Sequence, residues 1–250
     1  MRILHGAATD IGRVRIRNED YLGWRVSPEG DPVGRGSLFV VADGVGGHAG
    51  GADASRIAVD TILRAYYASS PSTSPADALA AAILDANAAV YAGGAGHGRG
   101  TTVVAVAVTG GTAVVAHVGD SRVLLVRDGV ATQVTEDHSW VWEMVRLGIL
   151  TPAEARYDPR RNVITRWIGD RVVEPDLTTI PLQPDDRIVL CTDGLTGYLT
   201  PEQIASTVVR LPEQEAVDEL CRLANLAGGA DNITAIVVHV VPNAQASSTG

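Results

Sequence analysis

The sequence contains no lysine, and all 20 of its basic residues are arginine. Without lysine the protein cannot form a Schiff base with a carbonyl substrate, and it cannot complete the G-x-x-x-x-G-K-[ST] loop that binds nucleotide phosphates. Acidic residues outnumber basic ones, 29 to 20, which gives a formal net charge of −9. Because binding to a nucleic acid requires clustered positive charge, we expect no nucleic acid partner.

Cysteine is scarce as well, with only Cys191 and Cys221 in the chain. Two cysteines are too few for a disulfide framework, and their apolar or helical surroundings predict reduced thiols in the core. The N-terminal segment MRILHGAATDIGRVRIRNED has no apolar stretch of the kind that a secretory signal requires. Both observations predict a cytoplasmic protein.

Charge is absent from residues 100–119, GTTVVAVAVTGGTAVVAHVG, a segment long enough to cross a bilayer. The pair Gly110-Gly111 lies in its middle, between two runs rich in valine and alanine. Glycine pairs and β-branched residues disfavour a helix, whereas they are typical of a hairpin with a tight turn. We therefore predict two buried strands here and no membrane segment.

The hydrophobic pattern predicts further strands and helices. Strand-like runs lie at residues 21–26, 38–42, 102–108, 113–118, 122–126, 187–191 and 234–241. Helical patterns lie at residues 52–68 and 213–227, and others begin after the caps Ser74, Thr151 and Thr200. Two helices in succession, followed by strands with short connections, indicate antiparallel sheet with helices packed outside it. We expect a single domain over residues 1–241 and a disordered tail at residues 242–250.

One glycine-rich segment, SLFVVADGVGGHAGGADAS at residues 37–55, fits the dinucleotide fingerprint G-x-G-x-x-G/A from Gly44 to Ala49. A dinucleotide-binding unit needs a parallel strand directly after its first helix. Here residues 69–77 read as a loop that leads into another helix. The order of elements therefore disfavours a nucleotide site.

Aspartates next to predicted strands form the main functional pattern. Asp43, Asp120, Asp193 and Asp231 lie in the segments LFVVADG, VAHVGDS, IVLCTDG and GGADN. Four carboxylates at one sheet edge would repel one another unless cations neutralised them, and oxygen ligands without nearby cysteine or histidine pairs favour Mg²⁺ or Mn²⁺. The alternative is four separate caps and turns, such as the hairpin turn predicted at Asp128-Gly129.

The segment RVRIRNEDY adds basic and acidic residues near the N-terminus. On a strand, Arg15, Arg17 and Glu19 would share one face, so that an arginine and an acid could point toward the same site. Arginine suits bidentate recognition of phosphate, so metals together with an arginine suggest a phosphoryl substrate. A solvated, charged strand edge is the alternative.

Eight successive segments resemble the motifs of one known family. They are RIRNEDY, VADGVGG, GTTVVAV, VGDSRV, TEDHSWV, NVITRWIG, LCTDGL and ADNITAIVV, in this order. With them the sequence resembles the type 2C class of metal-dependent protein serine/threonine phosphatases (PPM), in its compact bacterial form. The resemblance implies an α+β fold, a four-layer αββα sandwich of two antiparallel β-sheets flanked by helices.

The resemblance also implies Mn²⁺ or Mg²⁺ as cofactor, with two ions at a core site and a third at a weaker site. Asp43 would bridge the two core ions, with the Gly44 carbonyl on one of them. Asp193 and Asp231 would hold the other ion.

Further residues match the family's motifs around this core. Glu19 and Asp20 fall in an acidic motif that often contacts metal through water, and Asp120 would join Asp193 at the third ion. Arg15 matches the phosphate-binding arginine. Catalysis would thus depend on Arg15 together with the core aspartates.

The implied activity is hydrolysis of phosphoserine and phosphothreonine in proteins, by a water that bridges two metal ions. The partners would be phosphoproteins made by an opposing serine/threonine kinase, and the protein would be a monomer. Val45 stands where some animal members carry a histidine proposed as general acid, and His48 lies three residues later, so the proton donor is unassigned. The alternatives are a catalytically silent regulator that binds a partner and a dedicated phosphatase of one anti-sigma-type regulator.

A flap at residues 137–169 is implied to border the active site and to contribute to substrate choice. Trp140, Tyr157 and Trp167 are the candidates for contact with a substrate peptide. Trp142 is a further candidate; core packing is the alternative for each of these residues, and it is favoured for Trp142.

Overall fold

The structure, a computed structural model, describes residues 1–27, 34–45, 49–94 and 99–242. Two five-stranded antiparallel sheets form its centre. The first sheet has the order β1 (Arg2–Asp10), β12 (Ile233–Val241), β11 (Arg187–Cys191), β8 (Arg122–Arg127) and β9 (Val130–Gln133). The second has the order β10 (Asp176–Pro181), β7 (Thr112–Val118), β6 (Val103–Thr109), β3 (Ser37–Ala42) and β2 (Tyr21–Arg25). A small third sheet pairs β4 (Gly44–Val45) with β5 (Gly100–Thr101).

The helices of the described residues are α1 (Ala49–Ala68), α2 (Pro75–Gly94), α3 (Trp140–Arg146), α4 (Pro152–Tyr157), α5 (Asp193–Thr196), α6 (Pro201–Arg210) and α7 (Glu213–Leu226). The caps predicted at Ser74, Thr151 and Thr200 are confirmed, because each hydroxyl accepts a hydrogen bond from the backbone N–H three residues later. The first helix begins at residue 49, three residues before its predicted start. Of the predicted tail, residues 243–250 lie outside the described part of the chain.

Alternate residues of the central strands face two different apolar layers. In β3, Phe39 and Val41 pack between the two sheets, whereas Leu38 and Val40 face α1 and α2. Helices α6 and α7 cover the outer face of the first sheet, where Leu220 packs. Because both faces are buried, such a strand has a continuous apolar sequence. The layers run helix, sheet, sheet, helix, and the predicted four-layer αββα sandwich is confirmed.

Two hairpins join consecutive strands through turns that require left-handed backbone. Gly110 and Gly111 have φ values of 56° and 83°, and they connect β6 to β7. Asp128 and Gly129, at 52° and 77°, connect β8 to β9. Positive φ at both central residues is typical of the type I′ hairpin turn, so both predicted hairpins are confirmed. Across the described ranges, no helix has the length and apolar character needed to cross a bilayer.

Two edge strands were not predicted from the sequence. In β1, Gly6 packs directly on α7, where a Cβ atom would lie 2.3 Å from the Glu213 backbone, and the burial along the strand does not alternate. Strand β10, DLTTIP, is exposed over most of its length. Neither strand shows an apolar period of two, which is the signal that sequence patterns provide.

Residues 11–20 form a loop between β1 and β2, so the prediction that Arg15, Arg17 and Glu19 share one face of a strand is wrong. Gly12 turns the chain with φ 81°, and the Arg13 amide donates to the Gly229 carbonyl. The loop thus crosses to the segment that precedes β12.

Candidate active site

The predicted acidic residues meet where strands of both sheets end. Asp43 follows β3, Asp120 follows β7, Asp193 follows β11, and Asp231 precedes β12. An open cavity of about 290 Å³ is lined by the predicted residues Arg15, Glu19, Asp43, Gly44, Asp120, Asp193 and Asp231. Asp20 is buried, and it accepts a hydrogen bond from the Thr192 hydroxyl at 3.0 Å.

Burial and mutual repulsion disfavour the charged form of these acids. Burial raises the pKa of Asp43 and of Asp120 well above the usual value, and repulsion from neighbouring aspartates raises both further. The pKa of Asp193 is raised by burial and then by Asp231. Burial raises the pKa of Asp20 to about 7. Such a cluster is costly unless positive charge compensates it.

Two carboxylate oxygens of the cluster are buried without a hydrogen-bond partner among the described residues. They are Oδ1 of Asp20 and Oδ1 of Asp193. Buried acceptors without donors are rare, and hard divalent cations such as Mg²⁺ and Mn²⁺ prefer oxygen ligands of this kind. The donor set therefore fits a divalent cation.

The backbone at Gly44 is closely surrounded. A Cβ atom there would lie 2.5 Å from the Gly51 backbone and 2.6 Å from the Glu19 carbonyl oxygen, and the Gly44 amide donates to that same oxygen at 3.1 Å. Only glycine leaves room for this approach, which brings the Glu19 segment against the start of β4.

Thr102 links the loops that carry Asp43 and Asp120, a role that sequence reasoning missed. Its amide donates to the Asp43 carbonyl at 2.8 Å, and its hydroxyl accepts from the Asp43 amide at 3.1 Å. The same hydroxyl lies 2.7 Å from the Ser121 hydroxyl, beside Asp120. The position of Thr102 in the segment GTTVVAV was the feature of the sequence that could have indicated this role.

Asn232, which was also missed, fixes the loop at residues 11–20. Its side-chain amide donates to the carbonyls of Ile11 and Arg17, both at 2.9 Å, and its oxygen accepts from the Glu19 amide at 2.8 Å. Because Asn232 directly follows Asp231, it places the acidic loop next to the aspartate that precedes β12.

Arg15 is the basic residue that lines the acidic cavity. Its guanidinium donates to Oδ2 of Asp231 at 2.8 Å, and this hydrogen bond is the main reason that the pKa of Arg15 is raised. The side chain is 49% exposed, so a ligand in the cavity can reach it. Arg17 contributes its carbonyl to Asn232 and does not line the cavity.

The three flap aromatics predicted to contact substrate lie outside this cavity. The Arg160 guanidinium covers the Trp140 ring at 3.6 Å, Tyr157 is 80% exposed, and Trp167 packs against Gly100. The flap residues that line the cavity are Asn162 and Ile164. Val45 lines it as well, without a group that could donate a proton, and His48 lies outside the described residues.

A second group of possible metal ligands, His117, His138 and Asp176, lies away from the acidic cavity, with ligand atoms within 4.8 Å of one another. A cation already occupies this position, because the Arg166 guanidinium is 2.8 Å from Asp176 Oδ1 and 3.3 Å from His138 Nε2. Burial, together with His117 and Arg166, lowers the pKa of His138 to about 4. A metal ion would have to displace Arg166.

The chain is similar to known protein phosphatases both in sequence and in structure. Protein phosphatase PhpP of Streptococcus pneumoniae is 35% identical over 237 residues, which cover 92% of this chain and 94% of that protein. The crystal structure of the Mycobacterium tuberculosis serine/threonine phosphatase PstP/Ppp superposes with a TM-score of 0.87 at 33% identity, covering 97% of this chain and all (100%) of that one. The PstP catalytic domain in complex with 2 manganese ions gives a TM-score of 0.83 at 33% identity, over 96% of this chain and 99% of that one.

The family model of protein phosphatase 2C matches residues 12–228, a range that includes each predicted acidic residue except Asp231. The chain therefore belongs to the protein phosphatase 2C family.

Proposed function

We propose that the protein hydrolyses phosphoserine and phosphothreonine in other proteins, with Mn²⁺ or Mg²⁺ as cofactor. The observation that carries this function is the cluster of buried aspartates with raised pKa and with oxygens that lack hydrogen-bond partners. The names of the relatives support the reaction, and the manganese complex of PstP supports the cofactor.

The assignment of ligands follows the positions of the acids in the cavity. Asp43 would bridge two ions, Gly44 would offer its carbonyl to one, and Asp193 and Asp231 would hold the other. The positions of Asp43 and Asp193 after β3 and β11, and of Asp231 before β12, support this assignment.

Three further acids line the site or lie beside it. Glu19 lines the cavity and Asp20 lies buried beside it, so both could reach an ion through water. Asp120 would hold a third ion together with Asp193; burial, and then the charge of Asp193, raise the pKa of Asp120.

Bound divalent ions would neutralise the negative charge of the phosphoryl group. They would also lower the pKa of a bridging water, so that it could lose a proton at neutral pH and attack phosphorus in line. Arg15 would hold the phosphoryl oxygens by charge-assisted hydrogen bonds, since its exposed guanidinium already faces the site. The proton donor to the leaving oxygen is not a protein group at position 45, because valine stands there.

The substrates would be phosphoproteins produced by an opposing serine/threonine kinase, and the protein would act in the cytoplasm as a monomer. A silent regulator that only binds a partner is the competing function. The buried aspartates count against it, because without bound cations they lower the stability of the folded protein and serve no function.

Turnover of p-nitrophenyl phosphate and of a phosphothreonine peptide tests the proposed function. We expect the purified protein to hydrolyse both with Mn²⁺, and EDTA to abolish the activity. Full activity in EDTA would contradict the metal mechanism. Failure on every phosphorylated substrate, with Mn²⁺ present and the fold intact, would favour the silent regulator.

Replacement of Arg15 by alanine is expected to raise KM for p-nitrophenyl phosphate by roughly tenfold with a smaller change in kcat. The physical reason is that the guanidinium would hold phosphate equally in the ground state and the transition state. Steady-state kinetics at saturating Mn²⁺ provides the measurement. Arg17→Ala is the matched control, because Arg17 belongs to the same loop but does not line the cavity; equal effects of the two changes would refute the role of Arg15.

A further inference from the structure

A second cavity, of about 350 Å³, opens beside the acidic one. The two cavities share three lining residues, Asp120, Asn162 and Asp193, so they are continuous with each other. The second cavity lies between the flap helices α3 and α4 on one side and β8, α5 and α6 on the other. Its volume is in the range of pockets that bind organic ligands.

Both apolar and charged residues line this flap cavity. Aliphatic side chains from both sides contribute to it, and most of them are nearly buried: Leu124, Val141, Ala155, Leu199 and Ile204. The charged residues that line it are Asp120, Arg122, Asp137, Arg156, Arg161 and Asp193. The charge of Arg122 is compensated by Asp137, whose carboxylate is 2.6 Å away. The nearly buried aliphatic part of the lining suits an aliphatic or aromatic group.

Trp142 lines the same cavity and carries a donor without a hydrogen-bond partner among the described residues. This donor is the indole Nε1–H, which is buried. The core role predicted for Trp142 is therefore incomplete, because a buried donor without an acceptor is costly and a ligand could provide the missing acceptor. A backbone carbonyl of a bound peptide has this chemistry.

We propose that the flap cavity binds an apolar side chain of the phosphoprotein substrate, close in sequence to the phosphorylated residue. This inference rests on the proposed function. Consecutive Cα atoms are about 3.8 Å apart, so a peptide whose phosphoryl group lies among the aspartates can place a neighbouring residue in a cavity that shares Asp120 and Asp193. The substrate's backbone carbonyl would then accept from Trp142 Nε1–H.

The test compares phosphothreonine peptides in which leucine occupies one of the flanking positions with a reference in which alanine occupies all of them. We expect leucine at one position to raise kcat/KM by roughly tenfold, the effect typical of a small apolar group in a fitted pocket. No preference for leucine at any flanking position would overturn the proposal.

A substitution that fills the flap cavity with a larger side chain tests whether this cavity causes the leucine preference. Ala155 is nearly buried on α4 and lines the cavity, so Ala155→Leu should occupy the space and abolish the leucine preference, while turnover of p-nitrophenyl phosphate and of the all-alanine peptide stays unchanged. Ala153→Leu is the matched control, because Ala153 is exposed on the same helix and does not line the cavity. A preference that survives in Ala155→Leu would overturn the proposal.

A second variant keeps the proposal testable if Ala155→Leu does not fold. Trp142→Phe keeps an aromatic ring but removes the N–H donor, and we expect it to raise KM for the peptides several-fold without a change for p-nitrophenyl phosphate. An equal change for both substrates would overturn the role of Trp142 in peptide binding. Loss of p-nitrophenyl phosphate turnover in the parent protein would instead refute the proposed function, so the two failures are distinguishable.

Discussion

An Asp43→Asn variant is expected to lose phosphatase activity by on the order of 1,000-fold or more, which corresponds to about 4 kcal/mol of transition-state stabilisation. Asparagine preserves the shape of the side chain but removes the charge that would bridge two divalent ions. The backbone of residue 43 is held by Thr102 through its amide and its carbonyl, so the substitution leaves the local fold in place. The measurement is kcat/KM for p-nitrophenyl phosphate with Mn²⁺.

The same variant has an opposite expected effect on stability in the absence of metal. Burial raises the pKa of Asp43, and four neighbouring aspartates, Asp20, Asp120, Asp193 and Asp231, repel its charge. Removal of that charge should leave the melting temperature in EDTA unchanged or higher, while most of the stabilisation by Mn²⁺ disappears. A variant that is less stable in EDTA but retains the full response to Mn²⁺ would contradict the assignment of Asp43 as a metal ligand.

Asp128→Asn is the matched control for Asp43→Asn. Both aspartates precede a glycine, but Asp128 belongs to the β8–β9 turn with φ 52°, a conformation that asparagine also adopts readily. Activity, stability and the response to Mn²⁺ are therefore expected to match those of the parent protein. Comparable damage from both substitutions would show that the effect of Asp43→Asn reflects the backbone and not a metal.

The stability gained from divalent ions is expected to grow as the pH rises. The pKa of Asp20 is raised to about 7, and those of Asp43 and Asp120 are raised well above their usual value. A carboxyl group whose pKa is higher in the folded state binds more protons there, so the metal-free protein loses stability as the pH rises from about 4, the unfolded value, through the folded value. Bound cations offset this loss, because they pair with the deprotonated carboxylates.

Thermal unfolding in EDTA and in excess Mn²⁺, from about pH 5 to about pH 8, measures this coupling. At the upper end we expect Mn²⁺ to raise Tm by about 5–10 °C, since a 100-fold excess over Kd gives about 2.7 kcal/mol and each kcal/mol shifts Tm by roughly 2–4 °C. At the lower end the difference should be much smaller. A difference that does not change with pH would refute the coupling.

The difference between the two unfolding curves is the informative quantity, because histidines act in the opposite direction. Burial lowers the pKa of His117 and of His138, so their contribution to stability is lost as the pH falls below the unfolded histidine value. Both residues lie outside the acidic cavity and affect the two curves alike. Subtraction therefore leaves the contribution of the aspartates.

The buried strands could be predicted because both faces of each sheet are covered. Strands such as β3 and β6 then consist of continuous apolar residues, and an aspartate that ends such a run is conspicuous. The approach of Asp43, Asp120 and Asp193 to one another follows from the fold, since two stacked sheets bring strand ends to a common edge. Whether these aspartates bind metal stays a prediction that the two experiments above decide.

Other features could not be predicted because they depend on contacts between distant parts of the chain. Glu19 is placed by Asn232, 213 positions away, and no local pattern encodes that hydrogen bond. The exposed edge strand β10 has no apolar alternation. In the flap, short helices give too few turns for an apolar stripe, so the sequence did not show that Trp142 faces a cavity while Tyr157 faces solvent.

The pairing of β1 with β12 has a consequence for synthesis on the ribosome. Within the described residues β1 pairs with β12 alone, and Asp231 lies two residues before the start of this late strand. At about 5–20 residues per second, the nascent β1 waits roughly ten to forty seconds for its partner, with its edge open to wrong pairing. Until translation reaches β12 the growing chain lacks Asp231, one of the proposed metal ligands, so we expect dephosphorylation to begin only after residues 231–241 leave the exit tunnel.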